Sequence, residues 1–280
     1  MNPLEKQPMT IYPRTRSPHT AGGTALSRSK QMGLAWVDGT STVNGTSTVN
    51  GTSAGFAGAT NRSAPILGQP PSQIPAITTI DSGYCRPELA AVYLLVDGDD
   101  VAIIETATSP TVDRVIKALK QRSLVPEQVR YIIPTHVHLD HAGGAGKLMQ
   151  HCPNAKLLIH PKGARHMIDP NQLLAGTVQV YGQQQTREWY GEVVPVAESR
   201  IRCMEDGEQV PLGQLMLHFI DTPGHAFHHF CVYIPRLKVL FSGDTLGIAY
   251  PQLQWENERF IFASTTPVQF QPQLLLESID

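Results

Sequence analysis

The stretch VRYIIPTHVHLDHAGG, Val129 to Gly144, runs from an apolar segment directly into three histidines and an aspartate: His136, His138, Asp140 and His141. An apolar run of that length bounded by proline reads as a buried strand. The polar cluster therefore sits at a strand's end. Imidazole nitrogens and carboxylate oxygens are favoured ligands of first-row metals. Alternation along an extended segment puts His136 and His138 on one side, and the following turn can carry Asp140 and His141 to a second, adjacent metal. Packing four such groups together without a cation would desolvate or repel them, which argues against a merely solvated loop. Gly143 and Gly144 permit close backbone packing as a helix begins.

Working outward, Ala91–Val96 (AVYLLV), the turn DGDD and Val101–Thr106 (VAIIET) read as a β-hairpin. Ser109 and Pro110 then supply an N-cap and first-turn residue for a helix whose apolar face is Val112, Val115, Ile116 and Leu119. Further strands are expected at Lys156–His160, Leu215–Asp221, Phe230–Ile234 and Lys238–Asp244. Helices are expected, without assigned bounds, between Asp169 and Tyr190, and one begins at Pro272. Strands and helices thus alternate through one α/β domain from about residue 74 to 280.

Residues 1–73 differ in kind. Ser, Thr, Gly, Asn and Pro dominate, the segment TSTVNG occurs twice in tandem ending at Gly51, and few apolar side chains could offset the entropy of ordering. A disordered extension is expected there. Its six basic residues against Glu5 and Asp38 are a bias shared with organelle transit peptides, but no arginine-rich amphipathic pattern accompanies it.

A net charge of −2 gives no electrostatic footprint for nucleic acid or an anionic membrane, and no apolar run approaches a bilayer span. Cys85, Cys152, Cys203 and Cys231 form no CxxC pair, so neither a zinc ribbon nor a disulfide framework is indicated. The expectation is a cytoplasmic protein acting on a small molecule, with the oligomeric state left open.

THVHLDHAGG resembles the HxHxDH signature of the metallo-β-lactamase superfamily, and His225 in DTPGHAFHH and Asp244 in LFSGDT follow in the same order. The resemblance runs from about Ile77 onward. It implies an αββα sandwich with metals at one edge: His136, His138 and His225 holding the first, Asp140 and His141 the second, and Asp244 bridging them. Two zinc ions are implied, with iron or manganese as alternatives, and Asp140 would also orient a metal-activated hydroxide. Substrates implied by the glyoxalase-II-like members are thioesters, lactones or other esters. A single-iron sulfur dioxygenase and an inactive truncated homologue are the alternatives.

Two further features bear on that reading. Relatives with a second metal supply one more histidine late in the chain, whereas none follows His229 here. A C-terminally incomplete domain, a weak second site and an uncovered apolar sheet surface are therefore expected. The segment HPKGARHMIDP resembles one from a little-characterised branch of the superfamily, and its His160, Arg165 and His166 either face substrate or decorate a helix. His228 and His229 are read either as groups orienting the ligands or as packing residues. His151 and His218 are read as structural.

Overall fold

The computed structural model describes residues 75–255, 258–266 and 269–280. The extension expected over residues 1–73 lies outside them. The first strand, β1 (Ala76–Asp81), pairs antiparallel with β2 (Ala91–Asp97), which forms the expected hairpin with β3 (Asp100–Ile104). Gly98 holds the turn with φ of 63°, a conformation open to glycine without steric cost. From β3 the sheet continues parallel through β4 (Val129–Ile133), β5 (Lys156–Ile159) and β6 (Ile201–Cys203).

Parallel neighbours require crossovers, and helices supply them. The helix α1 (Val112–Gln121) links β3 to β4. The short α2 (Leu139–Ala142) and α3 (Ala145–His151) link β4 to β5. Then α4 (Pro161–Ile168), α5 (Asn171–Tyr181) and α6 (Gln183–Tyr190) precede β6, which places the helices expected between Asp169 and Tyr190. One expectation is corrected. Ser109 does not cap α1; a 3₁₀ turn over Ser109–Thr111 precedes the helix, and the Ser109 hydroxyl donates to the carbonyls of Gly143 and Glu192. The serine ties a loop to the site-bearing segment instead of closing a helix end.

The second sheet is antiparallel, in the order β10 (Val239–Phe241), β9 (Phe230–Ile234), β8 (Leu215–Asp221), β7 (Gln209–Leu212). Alternation along the strands decides the layers. In β3, Val101 and Ile103 face α1 and α3, whereas Ala102 and Ile104 face the second sheet. In β8, Leu215, Leu217 and Phe219 turn inward to the same inter-sheet core. Phe219 meets Phe230 edge to face at 5.0 Å between ring centroids, at the centre of that core. Removing so large a buried ring costs about 3–5 kcal/mol. Two sheets with a helical layer over the first give the mixed α/β sandwich. The opposite face of the second sheet carries Met216 and Ile220, each 41% exposed.

The remaining elements lie beyond β10. A hairpin of β11 (Ile248–Trp255) and β12 (Glu258–Phe262) is followed by α7 (Pro272–Ile279), the helix expected from Pro272. Its residues anchor on the turn after β8: the Gln271 amide donates to the Gly224 carbonyl at 2.8 Å and the Ser278 hydroxyl to the Pro223 carbonyl at 2.7 Å.

Candidate metal centre

Three chain segments converge at one edge of the sandwich: the loop leaving β4, the turn from β8 to β9, and the loop leaving β10. Pro134 ends β4, and the chain then binds the second sheet directly, the Phe230 amide donating to the Thr135 carbonyl at 3.0 Å. His138 occupies the position before α2 in extended conformation, so Asp140 and His141 follow on the helix's single turn. At Gly144 an added Cβ would stand 2.7 Å from the Thr106 carbonyl oxygen and 2.9 Å from that of Thr108. Only glycine lets the loop after β3 lie this close to α2.

The donor atoms face one another. His136 Nε2 lies 2.9 Å from His138 Nδ1, and His225 Nε2 lies 3.1 Å from that same Nδ1. Asp244 Oδ2 is 3.3 Å from His225 Nε2, and its Oδ1 is 3.2 Å from His141 Nε2. Two donor groups result, His136 with His138 and His225, and His136 with His141 and Asp244, each with its atoms within 4.8 Å of one another. Asp140 is in neither group but borders the second, its Oδ2 3.7 Å from His141 Nε2 and its side chain 39% exposed.

The outer nitrogens show which ring nitrogen carries the hydrogen. His225 Nδ1 faces the Ser264 carbonyl at 3.2 Å, and a carbonyl can only accept, so the hydrogen is on Nδ1 and the Nε2 lone pair points inward. The Thr135 hydroxyl gives its hydrogen to Glu105 Oε1 at 2.6 Å and so accepts from His136 Nδ1 at 3.1 Å, which also frees His136 Nε2. His141 Nδ1 meets Glu105 Oε1 at 3.2 Å. Each outer N–H is thus spent on an oxygen, the arrangement that orients metal-binding imidazoles. With His138 Nδ1 also turned inward, the three rings converge on one point, which is the fit these residues offer to a metal ion.

Electrostatics agree. Burial, reinforced by neighbouring imidazoles, holds His136 well below its ordinary value. Burial, opposed by Asp140 and helped by His225 and His228, pushes His138 down to about 3. Both rings are neutral donors at neutral pH. For His141 burial opposes charge, but the carboxylates of Asp244, Glu105 and Asp140 outweigh it and raise its pKa. Burial likewise opposes ionisation of Asp244, yet His141 and His225 hold it below the usual carboxylate range. A proton between His141 and Asp244 therefore stands where a divalent cation would bind, and binding there releases it.

Glu105 and Ser264 complete the site and escaped the sequence reading, whereas His228 and His229 are read there as orienting or packing residues. Glu105, 5% exposed, follows β3 directly with φ of 61°, a costly backbone for a non-glycine residue, and holds both Thr135 and His141. An acid closing the apolar run VAIIET was its one visible signal. Ser264 donates to Asp244 Oδ2 at 2.8 Å from a loop with no motif. His229 is fully buried, accepts from the Asp244 amide at 3.1 Å and reaches Thr222 and Thr245 through Nδ1. His228 Nδ1 accepts from the Val137 amide at 3.3 Å. Both rings therefore position ligand-bearing backbone. His160 caps α4 at the Lys162 amide and pairs with Asp221, away from the donor groups. His151 is exposed, and His218 sits half-buried on β8. Glu105→Ala is expected to weaken metal retention at the His141–Asp244 group roughly 10–100-fold, the usual cost of losing an outer partner. Competition with a chromogenic chelator measures it, and wild-type retention would remove Glu105 from the site.

A cavity of about 800 Å³ opens beside the centre, lined by Asp140, His141 and Asp244 and by the apolar side chains of Leu89, Tyr93 and Phe241. A deeply set donor cluster with a chamber beside it, on a sandwich of this topology, defines a metal-dependent enzyme class. The chain belongs to the metallo-beta-lactamase superfamily, whose family model matches residues 85–268. Metal binding is the norm in that superfamily, and hydrolases are among its members.

A metallo-beta-lactamase fold-containing protein of Sulfurisphaera tokodaii is 25% identical over 203 residues, 69% of this chain and 67% of its own. The crystal structure of an archaeal superfamily protein from Sulfolobus tokodaii matches with a TM-score of 0.58 at 25% identity, covering 72% of this chain and 73% of that one. A hydroxyacylglutathione hydrolase of Legionella pneumophila is 26% identical over 118 residues, 42% of this chain and 34% of its own. The chain thus spans between about a third and two thirds of the length of these curated relatives.

Proposed function

We propose that this chain is a hydrolase of thioesters, lactones or related esters that works with two zinc ions. The convergence of His136, His138 and His225, with the outer nitrogens of His136 and His225 already hydrogen-bonded, is the observation that supports this most directly. These three residues would hold the first ion, and His141 and Asp244, with Asp140 at the cavity wall, the second. When bound, such a pair lowers the pKa of water toward neutrality and acts as a Lewis acid toward a carbonyl.

The rest falls to the protein's own groups. Asp140 faces the cavity with an accessible carboxylate, placed to accept a proton from the attacking water and align it. Glu105 keeps His141 turned inward, and Ser264 fixes the rotamer of Asp244. Tyr84 lines the cavity and shares a hydrogen bond of 2.8 Å with Tyr190, and burial raises the pKa of both phenols, which keeps them neutral. The apolar side chains of Leu89, Tyr93 and Phe241 suit an apolar acyl group. A cytoplasmic location and a small-molecule partner belong to the same proposal.

Elemental analysis of the purified protein tests it. About two zinc ions per chain, with thiol or acid release from ester substrates, is the expected outcome. Bound iron with oxygen consumption on sulfur substrates would replace the hydrolase reading with an oxidative one.

A further inference from the structure

The hairpin of β11 and β12 stands outside both cores. It forms a two-stranded sheet of its own, and among the described residues it joins neither larger sheet and contributes no side chain to a hydrophobic cluster. Two ties connect it to the loop between β1 and β2: Gln252 donates to Glu88 at 3.0 Å, and the Arg86 guanidinium stands 5.0 Å from the Tyr250 ring centroid. A two-stranded sheet is marginal in water unless an apolar face packs against something.

The register shows which way each face turns. Residues directly opposite one another share a face, as do alternate residues along a strand. Ala249 pairs with Ile261, and both line the large cavity beside the candidate metal centre, as does Gln254. Trp255, opposite Glu258, therefore lies on the other face with Phe260 and Phe262. The two phenylalanines meet edge to face at 4.7 Å between centroids. Trp255 is 76% exposed and Phe260 57%, and Phe262 and Leu253 are each 40% or more exposed. With about 150–250 Å² for each aromatic side chain, these four present roughly 450 Å² of apolar surface. A contiguous patch of that size marks an interaction site.

We propose that this face docks a second copy of the chain, hairpin on hairpin about a two-fold axis. Two such faces closed on each other cover roughly 900 Å² of side chain, and the flanking backbone brings that to the ~1,000 Å² a specific interface requires. A two-fold contact uses the same patch twice, so the patch must suit itself. An axis through Phe260 seats that ring on its counterpart and sets the two Glu258 carboxylates at opposite ends of the contact. Aromatic rings with no charge at the centre are the composition of interface cores. A lipid surface is a poorer match, because between Ile248 and Phe262 the chain carries no lysine and, as arginine, only Arg259. Since the inner face of the same hairpin walls the cavity, each copy braces the chamber of the other.

Sedimentation equilibrium of the metal-loaded full chain over a series of concentrations tests this. Twice the monomer mass is expected, dissociating on dilution, with tryptophan emission moving to shorter wavelength as the dimer forms. That movement should vanish in Trp255→Phe, which keeps the dimer. Phe260→Ser combined with Phe262→Ser should raise the dimer dissociation constant at least about a hundredfold, with circular dichroism and metal content unchanged. Met216→Ser combined with Ile220→Ser, on the exposed face of the second sheet, should leave the constant where it was. A chain that stays monomeric throughout overturns the proposal, and so does a dimer that survives loss of the hairpin aromatics. Binding of the monomer to neutral phosphatidylcholine vesicles in place of self-association overturns it too. Should the phenylalanine variant fail to fold, the emission decides: a concentration-dependent shift carried by Trp255 upholds the interface, and its absence rejects it.

Discussion

His138→Ala and His225→Ala are each expected to strip most of the tightly held metal. The first donor group consists of three neutral nitrogens, and a site of three protein ligands has none to spare. Losing even an outer partner costs roughly 10–100-fold in affinity, so losing a ligand should exceed about a hundredfold. The remaining fold should survive, because the deleted rings lie in loops at the edge of the sandwich and outside both large hydrophobic clusters. Metal per chain after gel filtration, with circular dichroism as the control, decides the matter. Unchanged metal content in both variants would sink the assignment.

Asp244→Asn should separate the two donor groups. Its two oxygens are divided between His225 and His141, but only the His141 group counts the carboxylate among its donors and depends on it for anionic charge. Titration of metal into stripped protein is expected to show a tighter event followed by a weaker one, with activity tracking the weaker. Asp244→Asn should depress the second event more than the first, since His136, His138 and His225 remain. Two equally tight events untouched by the substitution would mean that Asp244 is no ligand.

The sequence exposed what is local and hid what is assembled. The strands at β2, β3, β4, β5, β8 and β9 were legible because each is a contiguous apolar run, and the turn DGDD announces its hairpin. The strand β6, three residues in parallel pairing, is too short for any period to register. In β11, Pro251 interrupts the pattern, and its partner β12 lies beyond the next turn. Ser109 misled because a serine before proline resembles a helix cap, whereas its hydroxyl serves distant carbonyls. Within the site, the cluster from His136 to His141 could be read from spacing alone. Glu105 and Ser264 could not, because their roles arise from hydrogen bonds that cross between sheets and loops, and for His229 the same kind of bonds decide between the orienting and packing readings.

The donors also make the site a fastener. His136 leaves the first sheet, His225 the second, and Asp244 the loop beyond β10, so a cation shared among them ties segments remote in sequence at one point. A ligand that binds only the native chain stabilises it by RT ln(1 + [L]/Kd), about 4 kcal/mol at a thousandfold excess over Kd. That increment is comparable to a disulfide closing a long loop. Chelation would then shorten the lifetime of the folded chain, and cellular abundance of the protein would follow metal supply even where no turnover is being measured.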